Sequence, residues 1–234
     1  MEPGASSREI TMNFSAEAWT FPLASLAIIA TYLFLLAWRP RRRARHAHAE
    51  LRSAWFDAVT EQPGTELLAV QTLRNSVMTA TLIASSAALG LTGAISLTAP
   101  SLHEALGTVT SASQLKPRVA MELALLTLLM TTLALNIMAI RNYTHAGFVL
   151  GMPVSSPARR RWTGLGRLHV RSAGMLFGWG LRCMVLAASI LVSLVHAWVG
   201  VVATLFVTAA LWRLEGHGRL PQRARPIAAG RRLD

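Results

Sequence analysis

"AGMLFGWGLRCMVLAASILVSLVHAWVGVVATLFVTAALW", residues 173–212, runs for 40 residues with a single charge, Arg182. The hydrocarbon core of a bilayer is about 30 Å thick and takes roughly 20 apolar residues as a helix. At about 1.5 Å per residue the stretch is twice as long as one crossing needs. It is therefore either one overlong helix or two helices and a turn, and the architecture depends on which.

Three more apolar runs precede it. Residues 19–38 are free of charge and carry a Trp at each end, where amphipathic rings favour the membrane interface. Residues 77–97 form a second charge-free run, and 119–140 a third, interrupted by Glu122 and Asn136. The 234-residue chain is 53% apolar and only 15% charged, the balance of a polytopic membrane protein. Cys183 is the only cysteine, which excludes an intrachain disulfide and a cysteine-built metal centre.

Charge decides the 40-residue stretch. Residues 1–18 carry one Arg and three Glu, whereas 39–76 carry seven Arg, five of them at 39, 41, 42, 43 and 45. The basic residues of 98–118 are Lys116 and Arg118; residues 141–172 hold six Arg and no acid, and 213–234 another six Arg. Arginine-rich loops stay on the cytoplasmic side. The basic tail shares that side with 39–76 and 141–172 only if 173–212 crosses twice, turning near His196, Ala197 and Trp198. The expectation is an all-α polytopic membrane protein with five spans, 19–38, 77–97, 119–140, 174–195 and 197–213, N-terminus outside and C-terminus inside. Residues 1–18 form an extracytoplasmic N-terminus, 19–214 one membrane domain, and 215–234 a basic, disordered cytoplasmic tail. The positive cluster follows the first apolar run, which marks a reverse signal-anchor and not a cleaved signal peptide. With no transit-like segment and this size, the expected location is a bacterial inner membrane. The net charge of +12 does not indicate nucleic acid, because the arginines flank apolar runs where anionic lipid head groups are their natural partners.

Between the spans, "HAHAELRSAWFDAVTEQPGTE" (46–66) places Leu51, Trp55, Val59 and Phe56 at helical spacing, with Glu50, Arg52, Asp57 and Glu61 on other faces. It reads as a cytoplasmic amphipathic helix lying on the membrane surface or on other loops, ended by Gln62-Pro63-Gly64. Residues 141–153 form a second interfacial candidate, and the basic, Ser-, Pro- and Gly-containing 154–172 reads as a flexible loop.

The polar residues at helix ends carry the functional expectation. Gln71, Arg74, Asn75 and Met78 follow i, i+3, i+4, i+7 and so share one helix face. Asn136, Arg141, Asn142 and His145 stand at the inner end of the third span, and Arg182 near the start of the fourth. Arginines and amides on three helices with no acid to neutralise them either take their partner from outside, as a phosphate or other anion, or simply snorkel to lipid while the amides bond neighbouring carbonyls. Glu122 is either a proton- or cation-coupling carboxylate or the partner of Arg118, four residues earlier, or of Lys116. His46 and His48 form an H-x-H inside an arginine run, where local charge repels cations, so no metal is expected. No catalytic triad, phosphate loop or carboxylate pair occurs, so no enzyme and no cofactor is expected. Gly174 and Gly178, and Ser85, Ser86, Gly90 and Gly93, permit close helix approach within the chain or in a homo-oligomer.

"AVQTLRNSVMTATLIASSA" (69–87), "RNYTHAGFVLGMP" (141–153) after Asn136, "GLR" (180–182) and "WRPRRR" (38–43) together resemble the bacterial and plant membrane family called domain of unknown function 599. The likeness covers roughly residues 25–215. It departs at Thr144, where the family pattern has Asn, and at 183–185, which lack aromatics. The resemblance implies a multi-pass membrane protein and no particular chemistry. The functional expectation is therefore a transport- or channel-like protein with a cytoplasmic-side anion or lipid-phosphate cluster. The alternative is a non-transporting scaffold or regulatory protein whose arginines bind anionic lipid.

Overall fold

The computed structural model describes residues 5–38, 42–107 and 116–216, with side chains for 18–38, 48–104 and 116–214. Among the described residues all six elements are helices: α1 Ala5–Trp38, α2 Arg42–Glu61, α3 Glu66–Gly107, α4 Pro117–Leu150, α5 Pro157–Val195 and α6 Ala197–Gly216. Five of them contain stretches long and apolar enough to cross a membrane: Ala18–Trp38, Glu66–Glu104, Pro117–Leu150, Pro157–Val195 and Ala197–Leu214.

The 40-residue stretch is divided between two helices, each a candidate span. His196 alone leaves the helical region, with φ −143° and ψ 112°. The corner is tight enough that Gly200 lies directly on Ser193, where a Cβ would stand 2.3 Å from the Ser193 Cα. The chain therefore reverses in one residue.

Central α4 packs along α3 on one side and α5 on the other; α6 packs on α5 and α1, and α2 on α5. Contacts such as Leu73 beside Gly147, Leu129 beside Gly90 and Ser101 against Glu122 show α3 and α4 antiparallel. The α3 seam is built from Ala69, Leu73, Ala80, Ala84, Ala87 and Ala94, small side chains that let the backbones approach. The small residues Ser85, Ser86 and Gly93 lie on the exposed side instead, while Gly90 borders Leu129 at the edge of the seam. Along that face Thr72, Ser76, Thr79, Thr81, Thr92 and Ser96 each donate to the carbonyl four residues back. An outward-facing hydroxyl satisfied by its own helix carries little cost in hydrocarbon.

Helices α3, α4 and α5 have 42, 34 and 39 residues, about 63, 51 and 58 Å at 1.5 Å per residue. They outrun a hydrocarbon core of about 30 Å, and two sequence expectations change accordingly. Residues 141–150 continue α4 and are not a separate interfacial segment. Residues 157–172 are the first turns of α5 and not a flexible loop. Pro157 stands in the first helical turn, where its fixed φ suits the start of a helix. Arg159, Gly166, Val170 and Ala173 are buried at helical spacing, a narrow inward stripe beneath the arginines and polar residues of the other face.

Helix α2 packs on this first part of α5. Its buried positions are Ala49, Phe56 and Thr60, while Leu51 is exposed. The inward stripe is thus rotated by about a residue from the one its larger apolar residues suggest. Phe56 fills the space above Gly166, where a Cβ would stand 2.6 Å from the ring. As expected, the helix ends at Gln62-Pro63-Gly64, with Gly64 at φ +85°, and Thr65 Oγ1 donates to the Gln62 and Val59 carbonyls. Residues 39–41, 1–4 and 217–234, and with them nearly all of the tail expectation, lie outside the described residues.

Candidate functional site at the arginine-rich end

The C-terminal end of α4, the N-terminal ends of α3 and α5, and all of α2 meet at one end of the bundle. That end holds most of the described arginines. The structure gathers part of the expected set there. Asn142 is half-buried, and its Oδ1 accepts a hydrogen bond from His169 Nδ1 at 2.7 Å. The His145 ring lies 5.3 Å from that of His169, and Arg141 is within electrostatic reach of the same imidazole. His169, on α5, was absent from the expected set because it sits in the segment read as a loop.

The remaining residues lie elsewhere. Gln71, Arg74 and Asn75 are exposed on the side of α3 that faces away from its alanine seam. Among the described residues their side chains make no hydrogen bond or ion pair. Asn136 lies deeper, wholly buried where α4 meets α5. Its Nδ2 donates to the Thr132 carbonyl, its Oδ1 has no partner, and a Cβ on Gly180 would stand 2.3 Å from Nδ2. Arg182 is thirteen positions beyond His169 on α5, about 20 Å at the helical rise. Its guanidinium lies 5.5 Å from the Trp179 ring. The expected arginine plane therefore separates into an exposed group on α3, a cluster on α4 and α5, and two deeper positions.

Two arginines that the sequence does not distinguish, Arg52 and Arg159, lie against other helices at this end. Arg52, on α2, lays its guanidinium flat against Gly174, where a Cβ would meet it at 2.5 Å. It stands near Tyr143 and is half-buried, yet it makes no ion pair or hydrogen bond among the described residues. Gly178 likewise faces Arg182 Nη1, at 3.2 Å from a built Cβ. The G-x-x-x-G of α5 therefore seats two guanidiniums. Arg159 is only 1% exposed. It donates to the carbonyls of Leu150 at 3.1 Å, Val59 at 3.3 Å and Met152, and approaches Glu66 at 4.0 Å. The Leu150 and Val59 carbonyls belong to the ends of α4 and α2, where helices leave acceptors unpaired and negative dipole ends exposed, and Met152 lies in the turn after α4. One cation joins both.

Acids at this end are few. Asp57 pairs with Arg167 at 3.1 Å, Glu66 lies by Arg159, and Arg52, Arg74, Arg141, Arg160 and Arg171 form no ion pair among the described residues. Between α2 and α5 runs a polar groove of about 450 Å³ lined by Glu50, Ser53, Asp57, Arg167 and Arg171 among others.

At the opposite end Glu122 is buried. It accepts from Arg118 Nε at 3.0 Å and from the Ser101 hydroxyl, while Lys116 pairs with Glu104 at 2.9 Å. Of the two readings of Glu122, the arrangement is that of an internally paired carboxylate. His48 is exposed, and the His46 side chain lies outside the described residues.

No curated protein and no solved structure matches the chain. A family model described as "Protein of unknown function, DUF599" matches residues 20–219. That range takes in all five candidate spans but the first two residues of α1's, together with α2, so the chain belongs to the DUF599 family.

Proposed function

We propose that this protein is a non-enzymatic, multi-pass membrane protein that holds phosphate groups of anionic lipids at its arginine-rich end. That end lies on the cytoplasmic side of a bacterial inner membrane, with the N-terminus outside. The observation that carries the reading is Arg52. Its guanidinium lies against Gly174 at the level where the apolar run of α5 begins, and it forms no ion pair among the described residues. A guanidinium that is partly desolvated and unpaired among the described residues favours a phosphate oxygen pair, which it can meet with two parallel hydrogen bonds. Arg74 and Arg141, exposed and unpaired, add to the field. Arg52, Arg74 and Arg141 stand on three different helices, two of them exposed, which supports a lipid-gripping protein over an anion pathway.

Each arginine near an anionic surface contributes about 1 kcal/mol, so three amount to roughly a hundredfold in lipid preference. The test is the ratio of phosphatidylglycerol to phosphatidylcholine retained by detergent-purified protein. The ratio should be high for wild type, fall with salt, and drop steeply in the triple variant Arg52→Gln, Arg74→Gln, Arg141→Gln. Equal ratios would overturn the reading.

A second reading, transport, has one observation in its favour. The buried, unpartnered Asn136 Oδ1 sits within the span, where a polar group usually marks function. Flux of an anion panel through liposomes, present in wild type and lost in Asn136→Leu, would favour it over the first.

A further inference from the structure

The groove between α2 and α5 differs from the rest of this end because it carries both signs of charge. Glu50 and Asp57 line it from α2, and Arg167 and Arg171 from α5. Only Asp57 and Arg167 pair, at 3.1 Å, and both remain partly open to solvent. Glu50 and Arg171 face the same space and form no ion pair among the described residues. A simple interhelical salt-bridge ladder would close on itself. Here about 450 Å³ stays open between the charges. A site for a plain anion would not include two carboxylates, since like charges repel the ligand.

We infer that this groove binds a phosphoethanolamine group, its phosphate on Arg171 and Arg167 and its ammonium on Glu50 and Asp57. The inference rests on the lipid-binding reading above for its setting, but it concerns different residues and a different head group. Arginine suits the phosphate because its planar fork meets two oxygens. Carboxylates suit a primary ammonium because each N–H can donate to them, which a quaternary choline nitrogen cannot do. Ser53 lies on the same wall. Its hydroxyl hydrogen goes to the Ala49 carbonyl at 3.0 Å, leaving its oxygen free to accept another N–H. The position also fits a lipid. Arg171 is the last charged residue before the uncharged run of α5 that begins at 172, so the groove opens at head-group depth.

The experiment titrates full-length protein in detergent micelles with phosphatidylethanolamine, phosphatidylcholine and phosphatidylglycerol. Soluble O-phosphoethanolamine, phosphocholine and inorganic phosphate are tested in parallel, with bound ligand read by native mass spectrometry. Phosphatidylethanolamine should bind more tightly than phosphatidylcholine. Glu50→Gln and Arg171→Gln should each weaken it about tenfold, the worth of one charge-assisted contact. Both side chains are exposed and unpaired, so the variants should elute and melt as wild type, and Arg171→Lys should keep most of the affinity. Tight binding of soluble phosphoethanolamine would identify a free metabolite as a second source of the same chemistry; weak binding would assign the site to lipid. Equal binding of ethanolamine and choline head groups would overturn the inference, as would unchanged affinity in Glu50→Gln, or inorganic phosphate binding as well as phosphoethanolamine. The two proposals fail separately: phosphatidylglycerol retention should be unaffected by Glu50→Gln and should depend on Arg52, Arg74 and Arg141.

Discussion

Replacing Arg159 should unlock the arginine-rich end. The guanidinium is 1% exposed and serves three carbonyls, those of Val59, Leu150 and Met152. Hydrogen bonds to a charged donor contribute roughly 1.5–3 kcal/mol each, which sets an upper bound for Arg159→Met. Carbonyls at helix ends can regain water once the side chain is gone, so the expected net loss is about 3–5 kcal/mol, typical of removing one member of a buried charged contact. For a chain of this size about 2–4 °C of melting temperature goes with each kcal/mol, giving a fall of about 6–20 °C. Arg159→Lys keeps the charge but has a compact head in place of the planar fork, so its loss should be intermediate. Differential scanning calorimetry in detergent measures both. The damage should also be local. Amide exchange should rise at the end of α2 and in the Gly151–Ser156 turn before it rises in the α3–α4 seam. A melting temperature for Arg159→Met within about 2 °C of wild type, a shift below 1 kcal/mol, would refute the reasoning.

Gly200→Ala should destabilise by about 1–3 kcal/mol, an overpacking cost, because the new Cβ meets the Ser193 backbone. Ser193→Ala should not rescue it in a thermal melt, since the clash with the Ser193 Cα remains. The atoms nearest a Gly174→Ala methyl belong to the flexible side-chain end of Arg52, so its melting temperature should change little while phosphatidylglycerol retention falls as in Arg52→Gln. Adding Arg52→Gln to Gly174→Ala should lower retention no further. Asn136→Leu removes a buried amide whose Oδ1 is unpartnered, and such a replacement should be neutral or stabilising. Asn136→Asp, which adds a charge to the same buried spot, should lower the melting temperature.

The sequence carried the architecture further than the site. The division of 173–212 into two helices was legible because arginine placement constrains both ends of the stretch, and the break falls at His196, where a turn was expected near His196, Ala197 and Trp198. The rotation of α2 was not legible. Leu51 is more apolar than Ala49, yet the seam against α5 has room for alanine and for one large ring, Phe56. The first turns of α5 were hidden by composition. Arg, Gly, Ser and Pro there suggest a loop, while the inward stripe uses Gly166, and a glycine carries no hydropathy signal. Arg159 stands in a run of three arginines, and only packing distinguishes the buried one from Arg160, which is exposed. For the same reason Gly174 and Gly178 read as a helix-packing motif although each seats a guanidinium. Asn142 and His145 stand out in the sequence, whereas His169, which packs beside both, does not.

The central claim is contact between guanidinium and lipid phosphate, and it can be measured as a distance. Solid-state NMR of arginine-labelled protein in phosphatidylglycerol bilayers can record dipolar dephasing of guanidinium nitrogens by lipid phosphorus. The account predicts a dephased arginine population that is lost when Arg52, Arg74 and Arg141 are all changed to Gln. Undiminished dephasing in that variant, or none in wild type, would contradict it.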